Sequence, residues 1–424
     1  MLFIYLFFYN IVLFTFILLT FPFIWKRIRP DKDFPGDWKE RFAIYTREIS
    51  TRMKKQKNVW IHTVSIGEFL SVNPLIEQLK KKENIVVTLA TKTGRRVAEE
   101  KLPDVTHLFF PTDLYPVMLA AVNKINPKLI IIVETEIWPG LLKISADKKI
   151  PVVLINGRIS PSSYPKYRRL RFFVRRFLAL FSAITMRNQF EAQRIISMGA
   201  SKQKVTIVGS MKFDLAYTMS KNINPSEIKN KYHIPENKQV IVFGSIHPGE
   251  EAPIAEIAEK ILQQFKNTLI IIVPRYLDKT EIYTILAAKN MAYSRKSRLV
   301  SNESFSVLVV DTYGELNNFY SICDISFVGA SLVPWGGQNP IEPTAFKKPV
   351  LFGKYNWHFL EEWRLIKEAG GGIEVDSFED LYREIVRLLG DPCLAQAIGQ
   401  KGYKTLVENT GATGRNLQVI SEFL

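Results

Sequence analysis

The sequence predicts an α/β protein of two doubly wound domains preceded by an apolar helix. Three observations predict it. Met1 to Trp25 contains no charged residue, short apolar segments then alternate with amphipathic ones, and the alternation restarts near residue 240. A chain of 424 residues is too long for one core and suits two domains.

The N-terminal run is almost wholly Leu, Ile, Phe, Tyr, Val and Trp, and about 20 such residues match the thickness of a bilayer core. It lacks the basic start and small-residue end of a cleaved signal. The basic flank Lys26-Arg27-Ile28-Arg29 follows the run. A retained membrane anchor over residues 1–29 is therefore expected, with the rest of the chain on the cytoplasmic side of the inner membrane. Asp31 to Lys57 reads as a polar connector with a short helix around Trp38–Thr46.

Strands follow at Val59–Val64, Ile85–Leu89, Leu129–Val133, Pro151–Ile155 and Lys204–Val208. The third is nearly all β-branched, as in a parallel strand buried on both faces. These form a first domain over 30–213. Residues 214–235 are polar and serve as the expected linker. A second domain over 236–424 has strands at Val240–Phe243, Leu269–Val273, Val307–Val310, Ile325–Val328, Val350–Phe352 and Gly372–Val375, with C-terminal helices.

The formal net charge of +16 calls for an acidic partner, and Cys323 and Cys393 are too few and too far apart for a disulfide framework. The five histidines form no metal-ligand spacing. Neither a dinucleotide fingerprint nor a phosphate-binding P-loop stands in the required context, and no nucleic-acid motif is present.

In open parallel sheets ligands bind beyond the carboxyl ends of the strands. Ser65-Ile66-Gly67-Glu68 follows the first strand; Glu68 reads either as a helix cap or as a general base. Glu134-Thr135-Glu136-Ile137-Trp138-Pro139 puts two carboxylates after the most apolar strand, where strand alternation would aim both the same way. Gly209-Ser210-Met211-Lys212-Phe213-Asp214 offers a lysine for a phosphate or carboxylate. In the second domain, Pro274-Arg275 ends a strand, Tyr313-Gly314-Glu315 opens a helix, and Gly336-Gly337-Gln338-Asn339-Pro340-Ile341-Glu342 is a glycine-rich loop leading into another.

Between Lys166 and Phe181 the sequence reads as one helix. Leu170, Phe173, Val174, Phe177, Leu178 and Phe181 share its apolar face. Arg168, Arg169, Arg171, Arg175 and Arg176, with Phe172 among them, occupy the rest. Beside a membrane anchor this composition suits anionic headgroups.

Taken together with Trp60–Glu68, Asn156-Gly157-Arg158-Ile159-Ser160 and Asp311–Leu316, these segments resemble, in order and along almost the whole chain, the transferases of 3-deoxy-D-manno-octulosonic acid (Kdo). The resemblance implies a GT-B architecture: two Rossmann-like domains facing a cleft, acceptor on the N-terminal side and CMP-Kdo on the other. It implies inverting, metal-independent transfer to a lipid A precursor (lipid IVA), with no cofactor. Glu68 would be the general base, and Glu134 and Lys212 would stabilise the transition state. Pro274, Arg275, Tyr313, Gly314, Glu315, Asn339, Pro340, Ile341 and Glu342 would contact CMP.

The chain departs from the family pattern at Gln338 and Tyr276, where histidine is usual, at Gly157, where alanine is frequent, and at Gly140, where asparagine is common. Two other readings share parts of this evidence: a GT-B enzyme using a UDP-sugar, and a noncatalytic protein that binds anionic membranes.

Overall fold

A computed structural model describes residues 2–28, 34–160, 163–299 and 305–424, and the side chains of 21–36 fall outside the description. The expected basic flank Lys26–Arg29, the boundary at residue 29 and the start of the connector therefore lie outside what is described. Two compact α/β units emerge. One comprises Met1–Met211 together with Gly411–Leu424, the other Lys212–Thr410.

The first unit is built on seven strands: β1 (Asn58–Thr63), β2 (Asn84–Leu89), β3 (Thr106–Phe109), β4 (Pro127–Val133), β5 (Val152–Gly157), β6 (Ala183–Met186) and β7 (Val205–Ile207). Their order is β3-β2-β1-β4-β5-β6-β7, all parallel. Strand periodicity divides β4 between two cores. Ile130 and Ile132 join Trp60 and Leu154 on one face, while Leu129, Ile131 and Val133 join Val59 and Ile61 on the other. A strand buried on both faces has no polar side to show, which explains its unbroken apolar run. Each buried isoleucine contributes about 1.5–3 kcal/mol.

The second unit repeats the plan with β8 (Gln239–Ile246), β9 (Thr268–Pro274), β10 (Tyr293–Arg295), β11 (Val307–Val309), β12 (Ile325–Val328), β13 (Val350–Gly353) and β14 (Gly372–Val375). The order is β10-β11-β9-β8-β12-β13-β14. Each sheet reverses its direction of growth beside its first strand, between β1 and β4 and between β8 and β12. Those are the topological switch points where open sheets bind ligands.

The division differs from the expected one at both of its later boundaries. Residues 214–235 hold two helices, Met211–Lys221 and Pro225–Lys231, rather than a bare linker. From Lys212 onward they belong to the second unit, where Phe213 and Ala216 pack on Ile341, Ala345 and Leu406. The helix Ala412–Ser421 belongs to the first unit instead of the second. Ala412 and Ile420 enter its core, and Thr185 Oγ1 donates to Asn416 Oδ1 at 2.6 Å. The strands β3, β6 and β10, of three or four residues each, were not anticipated.

The N-terminal helix, Leu2–Ile28, is long and apolar enough over Phe3–Thr20 to cross a membrane. One side of it meets the first unit. Leu6 is buried, Tyr5 packs edge-on against Phe173 at 5.8 Å between centroids, and Asn10 Oδ1 accepts from the Tyr115 amide at 2.7 Å.

Candidate active site

The first unit gathers carboxylates at its switch point. β1 ends at Thr63, and Ser65 caps the helix Ile66–Leu79 by accepting the Glu68 amide at 3.2 Å. Glu68 reciprocates: its Oε1 accepts from the Ser65 hydroxyl at 3.0 Å and its Oε2 from the Val64 amide at 2.7 Å. This is a capping box, so the capping reading of Glu68 is realised in the structure. It does not exhaust the side chain. Glu68 is half-buried rather than sealed in, and burial together with the nearby Glu134 charge raises its pKa despite the capping bonds. A carboxyl held in place by its own helix and tuned upward is suited to accept a proton.

Glu134 follows β4 directly, with a left-handed backbone at φ 60°. Its amide donates to Ile155 O at 2.9 Å, so the strand pairing ends there and the chain turns. Strand alternation therefore does not set where Glu134 and Glu136 point, contrary to the sequence expectation. The Glu134 carboxylate instead forms an ion pair with Arg187, a nearly buried guanidinium that also donates to the Asn156 carbonyl and side-chain oxygens at 3.2 Å. Arg187 was not singled out from the sequence, and Asn156 entered only as the first residue of the segment Asn156–Ser160. Arg187 follows the four-residue β6, and the strand-end rule would have found it had that strand been recognised.

Glu136 lies close enough to Glu68 and Glu134 to feel both. Burial first, then those two charges, push its pKa to about 7. Trp138 next to it starts the helix Pro139–Asp147 and packs on Phe110 at 4.8 Å, which stacks on His62 at 3.8 Å. Burial drives the His62 pKa down to about 3, so this histidine is a neutral core residue. Asp113 accepts from the Gly140 and Leu141 amides, both at 2.8 Å, and anchors that helix. A Cβ at Gly140 would stand 2.7 Å from Asp113 Oδ1, which accounts for glycine where asparagine is usual.

Lys212, expected to stabilise the transition state, stands at the start of the second unit. Its ammonium sits 4.4 Å from the Phe359 ring centroid and contributes to the field at Glu342. Arg275 follows β9, its amide bonded to Ile246 O at 2.9 Å, and it too acts on Glu342. Glu342 itself is raised by burial, an effect opposed by Asn339, Arg275 and Lys212. Asn339 bridges the loop, donating to Glu342 Oε1 at 3.1 Å and accepting the Ile341 amide at 3.2 Å. Pro340 stands at the start of the short helix Ile341–Ala345, and Pro274 closes β9. Lys212, Arg275, Asn339 and Glu342 thus form one polar group.

The other predicted donor residues divide. Tyr313 is 69% exposed beside Gly314 at φ 84°. Glu315 is committed inward: the Tyr232 hydroxyl donates at 2.8 Å, Lys296 pairs at 2.6 Å, and Thr312 donates as well. Burial would raise its pKa, but these partners outweigh it and hold Glu315 below the usual carboxylate range. Tyr276, where histidine is usual, packs its ring 5.3 Å from His247.

An acid the sequence reading passed over closes the second switch point. Glu250 is fully buried between the ends of β8 and β12 and accepts amides from His247 at 2.9 Å, Ala330 at 2.7 Å and Ser331 at 3.3 Å. Burial pushes its pKa to about 7 against those bonds. A Cβ at Gly329 would come 2.6 Å from Ser245 O, so only glycine lets the two loops meet there.

The predicted basic helix is two short ones, Tyr164–Arg169 and Arg171–Leu178. The second follows its own apolar side, Val174, Phe177 and Leu178, into the core. The break at Leu170 leaves that residue 49% exposed instead of buried. Arg168, Arg169, Arg171, Phe172 and Arg175 are exposed, whereas Arg176 is half-buried with its guanidinium 4.7 Å from the Tyr5 ring centroid. Among the described residues no three His, Cys, Asp or Glu side chains gather as a metal site.

Comparison with known proteins places this architecture. Residues 36–215 match the family described as 3-deoxy-D-manno-octulosonic-acid transferase (kdotransferase). A 3-deoxy-D-manno-octulosonic acid transferase of Haemophilus influenzae is 31% identical over 91% of this chain and 91% of its own length. A bifunctional glycosyltransferase/methyltransferase of Fusobacterium nucleatum is 34% identical over 78% of this chain, which spans only 53% of that protein. In fold, the crystal structure of a glycosyltransferase from Rickettsia africae superposes with a TM-score of 0.59, covering 87% of this chain and 98% of its own at 14% identity. The fold is of the GT-B type, and the chain belongs to the 3-deoxy-D-manno-octulosonic acid transferase family of glycosyltransferases.

Proposed function

We propose that the protein transfers Kdo from CMP-Kdo to a lipid A precursor, lipid IVA, at the cytoplasmic face of the inner membrane, with inversion and without a metal. The observation that carries this reading is the Glu68 carboxyl at the β1–β4 switch point, raised in pKa beside Glu134 in a chain of this family.

In this reading Glu68 takes the proton of an acceptor hydroxyl as its oxygen bonds to the anomeric carbon of Kdo. The bond from that carbon to the phosphate oxygen breaks and CMP departs with the electron pair. The sugar gains oxocarbenium character and the phosphate gains negative charge, so fixed charges of the right sign lower the barrier. Glu134, fixed by Arg187, supplies negative charge for the first. Lys212 and Arg275, which both act on Glu342, supply positive charge for the second, the work a metal would otherwise do. Asn339 and Glu342 would hold the nucleotide with Pro274, Pro340, Ile341 and the exposed Tyr313–Gly314 turn. Glu315, held by Lys296 and Tyr232, would shape that turn rather than touch the ligand. The exposed arginines Arg168, Arg169, Arg171 and Arg175 with Phe172 would meet the anionic membrane surface that presents the acceptor.

The test is mass spectrometry of lipid IVA incubated with the full chain and a CMP-Kdo supply. The expected result is a mass gain of one or more Kdo residues. Gain only with a UDP-sugar, or no gain from any donor despite vesicle binding, would overturn the reading.

A further inference from the structure

The N-terminal helix Leu2–Ile28 has the length and composition of a membrane-crossing segment, but its contacts do not fit a crossing. Its docked side begins near its start: Tyr5 lies between Phe172 and Phe173, and the Arg176 guanidinium covers its ring. One turn on, the Tyr9 hydroxyl bonds the buried Asp113 carboxylate and Asn10 takes the Tyr115 amide at 2.7 Å. Leu6, 3% exposed, fills the space between them. Positions 5, 6, 9, 10, 13, 17 and 20 are the covered or half-covered ones, a single stripe at helical spacing. The remaining side is apolar and open, with Phe3, Phe7, Phe8, Val12, Phe16 and Leu19 between 56% and 68% exposed.

Two geometries for a crossing helix exist, and both conflict with these contacts. With its C-terminal end on the side of the first unit, Tyr5 would sit 21 residues from Lys26, about 30 Å away at the far face of the bilayer. Arg176, Asp113 and the unit they belong to would have to be there with it, and charged groups at that depth are strongly unfavourable. With its N-terminal end on that side, the chain would have to return between Ile28 and Phe34. Six residues reach about 21 Å, short of the roughly 30 Å core. The helix Phe34–Arg41 is tied to the first unit by Asp37–Lys92 at 2.8 Å and Glu40–Arg95 at 2.7 Å.

We infer that this helix lies in the plane of the membrane, docked along the first unit, with its open apolar side sunk into one leaflet and the neighbouring arginines on the headgroups. The occupant of the surface is an anionic lipid bilayer. The stripe of exposed Phe, Val and Leu matches the acyl boundary, and Arg168, Arg169, Arg171 and Arg175 in a chain of net charge +16 match its charge. This goes beyond the transfer reaction and does not depend on it, since an inactive protein would bind in the same way.

Depth-dependent fluorescence quenching decides the point. The full chain, with the exposed Cys393 replaced (Cys393→Ser), carries a fluorophore at Phe3→Cys, Ile11→Cys or Leu18→Cys, all exposed positions. Each is bound to phosphatidylglycerol–phosphatidylcholine vesicles brominated at shallow or deep acyl positions. The expected result is that shallow bromines quench all three sites alike. Quenching of Ile11 chiefly by deep bromines, with Phe3 and Leu18 quenched only by shallow ones, would show a crossing helix and overturn the inference, as would no quenching at any site. In a second measurement, the combined variant Arg168→Gln, Arg169→Gln, Arg171→Gln, Arg175→Gln should lose at least about tenfold in affinity for phosphatidylglycerol vesicles while keeping its binding to pure phosphatidylcholine. Unchanged affinity for the anionic vesicles would overturn the assignment of the arginines to headgroups.

Discussion

The two sheets place acids at equivalent points and use them in opposite ways. At the β1–β4 switch point of the first unit, Glu68, Glu134 and Glu136 crowd one another, and Arg187 pairs with Glu134. At the β8–β12 point of the second unit, Glu250 is surrounded by backbone amides. Burial elevates the pKa in both places, to about 7 for Glu136 and for Glu250. What differs is access. Glu68 and Glu136 are half-buried, whereas Glu250 is sealed among the loops it ties. A raised pKa therefore marks a proton acceptor only where the group can also meet a substrate.

Breaking the contrast begins with its most reactive member. Glu68→Gln keeps the shape of the capping residue but cannot take a proton, so transfer in the CMP-Kdo assay should fall by about 100- to 10,000-fold, with the thermal midpoint little changed. Glu250→Ala should do the reverse. It leaves buried amides without partners and should cost about 3 kcal/mol in denaturant unfolding, while transfer per folded molecule holds near wild type. If turnover collapsed instead, the division between reactive and structural acids would fail.

Arg187→Ala tests whether the first unit's acids need the guanidinium beside them. It removes the guanidinium that pairs with Glu134, and about 2–3 kcal/mol of stability should be lost together with a lower kcat at similar KM for CMP-Kdo. The smallest effect is expected at Glu136. Its pKa is raised from 4.5 to about 7 in the fold, so the stability tied to its protonated form is complete below pH 4.5 and is lost as pH rises through 7. Glu136→Gln removes that loss. The variant should be the more stable by about 1 kcal/mol at pH 8, after discounting for solvent screening, and equal to wild type near pH 4. Urea titrations at the two pH values check it.

Much of this contrast could be read in the residues themselves, and what could not has identifiable causes. The long strands β4, β8 and β9 announce themselves because both faces are buried and each carries an unbroken apolar run, Leu129–Val133, Val240–Phe243 and Leu269–Val273. Glu68 and Glu134 were legible for the same reason, since each follows a strand whose end is unmistakable. Arg187 follows β6, only four residues long, and Glu250 reads as an ordinary first-turn acid until the β12 loop is folded over it. The kink at Leu170 was hidden because the apolar spacing through Val174 and Phe177 is consistent with one helix. Lys212 stands one residue beyond the point at which the chain passes from one unit to the other, and local pattern does not locate such a change.

The segment Gly411–Leu424 carries a consequence for biosynthesis. Ala412 and Ile420 complete the core beside β1 and β4, and Asn416 satisfies the Thr185 hydroxyl. Roughly two hundred residues of the second unit are translated before that seal exists. The first unit therefore emerges from the ribosome with an apolar groove open along its sheet, and it can close that groove only after its neighbour has left the exit tunnel.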